Sequence, residues 1–113
     1  MPRSAKAQEY YTRISPNKVR RVLDQIRGQK YEEAIMILEF MPYKSCKKIK
    51  QILQSAAYNA FHLYGDKINR LIVSRTFANT GPTLKRFQPR AQGRAFKIKK
   101  PTCHIIIEVS YIN

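Results

Sequence analysis

From Lys67 to Ile107 the chain contains no carboxylate, yet this stretch carries Lys67, Arg70, Arg75, Lys85, Arg86, Arg90, Arg94, Lys97, Lys99 and Lys100. Charges of one sign with no internal counter-charge repel one another, and a polyanionic partner is the natural source of the missing charge. The centre of the stretch, Gly81 to Ala95, holds too few apolar residues to fold on itself. It is therefore expected to be an arm, about residues 81–97, that becomes ordered on nucleic acid. The remainder, about 1–80 and 98–113, is expected to form one globular body.

Bulk properties agree with that division. A length of 113 residues suits a single small domain, and 43% hydrophobic residues allow a modest core. Lys and Arg total 22 against 7 acids, a formal net charge of +15. Solubility does not require such an excess, which points to nucleic acid or an anionic membrane surface. No apolar run approaches the roughly 20 residues of a spanning helix, so no membrane partner is expected. Met1-Pro2-Arg3-Ser4 opens no signal-peptide apolar region. Cys46 and Cys103 lie in a helical and a strand pattern and are expected to be free thiols.

Periodicity divides the body into elements. Arg3 to Tyr11 alternates weakly, as an edge strand can. Ser15-Pro16 reads as a helix start, with Ser able to cap and Pro suited to the first turn. Val19, Val22, Leu23 and Ile26 follow at helical spacing, and Gly28 stops the run. A second helix is predicted from about Tyr31 to Phe40, with Glu32 and Glu33 complementing its dipole and Pro42 beyond its end. Its apolar stripe is Ala34, Ile35, Leu38 and Met41. A third is predicted from about Tyr43 to Tyr64 on Ile49, Ile52, Leu53, Ala56, Ala57, Ala60 and Phe61. Then the period falls to two. Leu71, Val73 and Phe77 alternate with polar residues, as do Cys103, Ile105, Ile107, Val109 and Tyr111. These two runs suit antiparallel partners with one face on the helices. The segment between them is too long for a hairpin turn and is predicted to extend as a ribbon, roughly 30 Å for about nine residues a side.

Three basic patches stand out. In the arm, Pro89 stiffens the approach and Gly93 permits a turn with positive φ between Arg90 and Arg94. Guanidinium groups fork phosphate oxygens or stack on unpaired bases, and Phe87 and Phe96 can stack as well. The second patch is Lys18, Arg20 and Arg21, preceded by Ser15 and Asn17, at a helix N-terminus that already offers N–H groups to phosphate. The third is Lys44, Lys47, Lys48 and Lys50, opposed to the helix dipole near its start. Each patch also has a plain reading as a solvated face. The remaining aromatics are expected in apolar stripes. Cys46, Cys103, His62 and His104 form no metal-ligand spacing, and no nucleophile motif or phosphate-binding glycine loop occurs. No catalytic residue, metal or cofactor is expected.

The stretch Leu84-Lys85-Arg86-Phe87-Gln88-Pro89-Arg90-Ala91-Gln92-Gly93-Arg94-Ala95 resembles the arm of large-subunit ribosomal protein twenty-two, a universal family, in its bacterial-type form. Ile14-Ser15-Pro16-Asn17-Lys18-Val19-Arg20 and Lys99-Lys100-Pro101-Thr102-Cys103-His104-Ile105 resemble it too, in the same order, and the likeness covers nearly the whole chain. The resemblance implies an α+β fold, with three helices packed on a small three-stranded antiparallel sheet and a long protruding β-hairpin. It implies a structural constituent of the large subunit that binds large-subunit ribosomal RNA, contacts neighbouring ribosomal proteins, and lines the nascent-peptide tunnel with its hairpin tip. It implies no homo-oligomer. The implied RNA-binding residues are Ser15, Asn17, Lys18, Arg20, Arg21, Lys85, Arg86, Arg90, Gln92, Arg94, Lys97 and Lys99. The implied tunnel tip is Pro89, Arg90, Ala91, Gln92 and Gly93. Pro101 departs from the polar residue more usual there. Proline cannot donate to a ladder, so the return strand should start later or bulge. The segments Tyr31 to Tyr43 and Thr102 to Ile105 are more similar to plastid members, which suggests a chloroplast stroma, with a bacterial cytoplasm second. The competing reading from the residues alone is an architectural DNA-binding protein that inserts a basic β-arm into a minor groove.

Overall fold

The computed structural model describes residues 3–80, 84–89, 95–100 and 102–111, with 84–89 and 95–100 as backbone only. Ser4–Thr12 forms β1, Pro16–Ile26 α1, Tyr31–Phe40 α2 and Ser45–Tyr64 α3. After a short 3-10 turn at Ile68–Arg70 come β2 (Leu71–Thr80), β3 (Leu84–Pro89), β4 (Ala95–Lys100) and β5 (Cys103–Tyr111). The body sheet has the order β1-β5-β2 and is antiparallel throughout, so β1 is an edge strand as its weak alternation predicts. The three helices cover one face, with α3 lying on β1 and β5 and α1 on β2. This is the α+β arrangement expected.

The core follows the predicted stripes. Val19, Val22, Leu23 and Ile26 of α1, Ile49 and Leu53 of α3, and Ile105, Ile107 and Val109 of β5 are fully buried or nearly so. Burial of apolar surface on this scale is the main force holding helices to sheet. Alanines at 56, 57 and 60 bring α3 close to the strands. Gly65 ends that helix at φ +69°, and its N–H donates to the Phe61 carbonyl at 2.8 Å. A side chain there would meet open space but would be strained by the left-handed backbone.

Several local expectations are corrected. Ser15 occupies the cap position of α1, but its side chain makes no capping bond. The helix starts instead on its carbonyl, which accepts the Val19 N–H at 3.2 Å, with Pro16 in the first turn. Helix α3 starts at Ser45 rather than Tyr43, because a tight turn intervenes in which the Cys46 N–H donates to the Tyr43 carbonyl at 3.1 Å. Phe61 is 45% exposed, since one residue beyond Ala60 is about 100° around the helix and past the stripe's edge. Phe77 is 47% exposed while Thr76 and Ala78 are buried. The cause is a β-bulge: Val73 pairs with Val109 and Arg75 with Glu108, leaving Ser74 extra. One extra residue reverses which side chains face the core. The Ser74 hydroxyl fills the gap by donating to the Glu108 carbonyl at 3.1 Å.

The hairpin lies where the charge run predicts it. Strands β3 and β4 pair antiparallel from Leu84↔Lys100 to Pro89↔Ala95, and beside them Thr80 pairs with Cys103 in the body sheet. The ribbon is thus a continuation of β2 and β5. Its return strand reaches Lys100, three residues further than the arm boundary expected at residue 97. Strand β4 stops at Lys100 and β5 starts at Cys103, on either side of Pro101, which lies outside the described residues. The Cα radius of gyration is 17.2 Å and the extents are 64 × 26 × 17 Å. A compact chain of this length would have a radius of about 13 Å, so the molecule is a body with a projection.

Candidate nucleic-acid interface

The hairpin register sets one pair of like charges directly opposite and spreads further cations along both strands, where they face apolar residues. Lys85 pairs with Lys99, Phe87 with Lys97, and Leu84 with Lys100. Like charges directly opposite destabilise an antiparallel pair, and no carboxylate of the hairpin offsets them. Lys85, Arg86, Lys97, Lys99 and Pro89 are therefore placed on the ribbon by its backbone. Arg90, Ala91, Gln92, Gly93 and Arg94 lie outside the described residues.

The α1 patch divides in two. Lys18 and Arg21 line a cleft of about 550 Å³ between the starts of α1 and α3, together with Arg13, Ser15, Tyr43 and Lys44. Four cations meet there, no carboxylate lines the cleft among the described residues, and neither helix has an acid in its first turn. Two helix starts and four cations suit a phosphodiester, and the exposed Tyr43 ring offers a base a stacking surface. Arg13, Tyr43 and Lys44 join this cleft only through folding, because Arg13 and Lys44 are far apart in sequence. Asn17 is exposed at the same helix start.

Arg20, exposed on α1, also bonds within the body. Its Nε and Nη2 both donate to the Ala78 carbonyl, at 3.1 and 2.8 Å. Arg27 likewise donates from Nε to the Thr76 hydroxyl at 3.1 Å and from Nη2 to the Thr76 carbonyl at 3.3 Å. Strand β2 is an edge, and these guanidiniums cover its outer carbonyls where the ribbon departs. Earlier along the same edge, Gly28 N–H donates to the Val73 carbonyl at 2.8 Å and Val73 N–H to the Gln29 carbonyl at 2.9 Å. The arm is thus rooted on a braced strand.

The third patch is partly neutralised. Lys48 pairs with Glu9 at 2.8 Å and Lys50 with Glu39 at 2.9 Å, while Lys44 and Lys47 stay exposed with no ion pair among the described residues. Aromatic placement also departs from expectation. Of the tyrosines only Tyr111 is in the core, and Tyr10, Tyr11, Tyr43 and Tyr58 are all more than half exposed. On the open face of the sheet Tyr10 and Tyr11 sit edge-on to His104, with centroids at 5.1 and 4.9 Å. The Tyr11 N–H donates to His104 Nδ1 at 3.0 Å, across a break in the β1–β5 register between Glu9 and Thr12. Arg75 and Phe77 are exposed on the same sheet. Rings beside cations on an open sheet face are a surface on which unpaired bases can stack.

Cys46 and Cys103 are buried free thiols, and burial raises both above the ordinary thiol range. Among the described residues no group of three His, Cys, Asp or Glu is placed to hold a metal. No helix is long and apolar enough to cross a membrane among those residues.

Comparison with known proteins agrees with this picture. The family model described as ribosomal protein L22p/L17e matches residues 7–110. Large ribosomal subunit protein uL22c of Pyropia yezoensis is 67% identical over 108 residues, covering 96% of this chain and 92% of the relative. The protein of the same name from Cyanophora paradoxa is 58% identical over 109 residues, 96% of each chain. Large ribosomal subunit protein uL22 of the cyanobacterium Microcystis aeruginosa is 59% identical over 108 residues, 96% of this chain and 91% of the relative. A match spanning body and arm alike, on a fold whose cations line the ribbon and the cleft, shows that this chain belongs to the ribosomal protein L22p/L17e family, a family of large-subunit ribosomal proteins rather than of enzymes.

Proposed function

We propose that the chain is a structural constituent of the large subunit of a chloroplast ribosome in the stroma, where it holds together segments of large-subunit ribosomal RNA. The observation that carries this reading is the hairpin: a ribbon that sets Lys85 opposite Lys99, carries further cations on both strands and has no acid of its own. RNA phosphates relieve that repulsion, and each neutralised phosphate releases condensed counterions. The binding set is Lys85, Arg86, Arg90, Gln92, Arg94, Lys97 and Lys99 on the arm, with Ser15, Asn17, Lys18 and Arg21 at the cleft. Arg20 acts through Ala78, positioning the root of the arm. The ribbon crosslinks RNA segments that repel one another, which favours assembly. Its tip, Pro89 to Gly93, lines the passage of the nascent peptide. The plastid assignment is supported by the relatives named uL22c. The protein acts as one copy per subunit.

Sedimentation and crosslinking test this together. The chain should travel with the large subunit in moderate salt. A photoreactive group at Gln92 should label a stalled nascent chain. Release from the subunit, or labelling of RNA alone from Gln92, would contradict the subunit role or the tunnel role respectively.

A further inference from the structure

The seven acids of this +15 chain are unevenly matched with cations. Asp66 pairs with Arg3 and Arg70, Asp24 with Arg27, Glu9 with Lys48 and Glu39 with Lys50. Glu108 stands in register between Lys6 and Arg75. Glu32 and Glu33, both exposed in the first turn of α2 just after Lys30 at its cap, make no ion pair among the described residues. That helix carries three acids and no Lys or Arg. Its dipole accounts for two acids at its start. It does not account for what stands next to them. Met36 is 56% exposed and Phe40 81% exposed, on the helix face opposite the buried Ala34 and Leu38. With Ile37, Met41 and Pro42 these side chains line a shallow apolar groove that Glu33 borders.

An acidic rim repels RNA phosphate, so this face is unsuited to the partner that the rest of the surface attracts. An apolar groove with uncompensated carboxylates suits the opposite charge. A flexible methionine and an unpacked aromatic are good anchors for an apolar side chain. We propose that the outer face of α2 docks a basic segment of another protein, which inserts an apolar side chain between Met36 and Phe40 and sets Lys or Arg against Glu32 and Glu33. The proposal rests on the ribosomal reading only in supplying basic neighbours for that segment.

The test starts in assembled large subunits, with a photocrosslinking amino acid replacing Met36. It should attach to a Lys- and Arg-rich segment of one protein. A synthetic peptide of that segment should then bind the isolated chain. Phe40→Ser should weaken binding at least tenfold, and so should Glu32→Gln with Glu33→Gln. Raising salt should weaken it further. Circular dichroism should show both variants folded, since all three positions are exposed. Filter binding to ribosomal RNA should be unchanged, which separates this surface from the RNA interface. Crosslinks to RNA, to a second copy of the chain or to nothing would overturn the proposal. So would peptide binding that ignores both variants.

Discussion

The Asp66 carboxylate accepts the Lys67 backbone N–H at 2.7 Å and the Arg3 guanidinium at 3.0 Å, with Arg70 at 3.7 Å. These donors, the backbone N–H foremost, hold its carboxyl below the usual carboxylate range. The Asp66 carbonyl also accepts the Tyr111 hydroxyl at 2.9 Å, and the Arg3 guanidinium lies over the Tyr111 ring at 4.7 Å. One residue thus joins the start of β1, the end of β5 and the turn before β2. A carboxyl that is more acidic folded than unfolded binds its proton first in the unfolded chain, so acid favours unfolding. Its contribution is complete above the unfolded value, about pH 4, and is lost as pH falls through the folded one. Thermal melts should show Asp66→Asn lowering the midpoint at neutral pH, and the gap to wild type closing in acid. A gap independent of pH would show that the carboxylate charge contributes nothing. In the core, Leu53 is fully buried, and urea melts of Leu53→Ala should show a loss of about 2 to 5 kcal/mol.

Strand β2 shows how an element can be read correctly while its faces are not. Its bulge at Ser74 turns Thr76 and Ala78 inward and presents their carbonyls to Arg27 and Arg20. Removing Arg20 should cost the body little, about 1 kcal/mol for a partly exposed charged donor, but should loosen the root of the arm. Arg20→Ala is expected to keep its circular dichroism and to bind ribosomal RNA more weakly than Asn17→Ala. Equal affinities would show that the brace is idle. Deleting Ser74 leaves Arg75 opposite Glu108 and Thr76 opposite Ile107, so the inward set survives and only the local twist is lost. Helix α1 was legible from sequence because four apolar residues at helical spacing suffice to define a buried face. The bulge was not, since Ser74 is no glycine and nothing local marks an unpaired residue. Nor were the partners of Lys48 and Lys50, because Glu9 and Glu39 reach them only through tertiary contacts. The cleft is hidden for the same reason: Arg13 and Tyr43 lie in connections whose approach depends on α1 and α3 packing.

The body supplies a braced platform, and the ribbon carries charge away from it, giving a long axis of 64 Å. The surface is divided by sign. Cations occupy the ribbon, the cleft and the open sheet face, while the unmatched acids and the apolar groove share α2. An elongated shape with segregated charge suits a protein set within folded RNA on some faces and against protein on another. The division predicts that charge changes on the arm alter the ionic component of RNA binding without altering the body. The decisive measurement is the salt dependence of filter binding to large-subunit ribosomal RNA, for the wild type and for Arg90→Gln with Arg94→Gln. Affinity of the wild type should fall by roughly 10³ to 10⁵ between 50 and 200 mM salt if about seven phosphates are engaged. The double variant should bind more weakly, with a log–log slope shallower by about 1.5, and should retain the wild-type melting midpoint. An unchanged slope, with the arm's guanidiniums removed and the body intact, would show that RNA does not neutralise the hairpin.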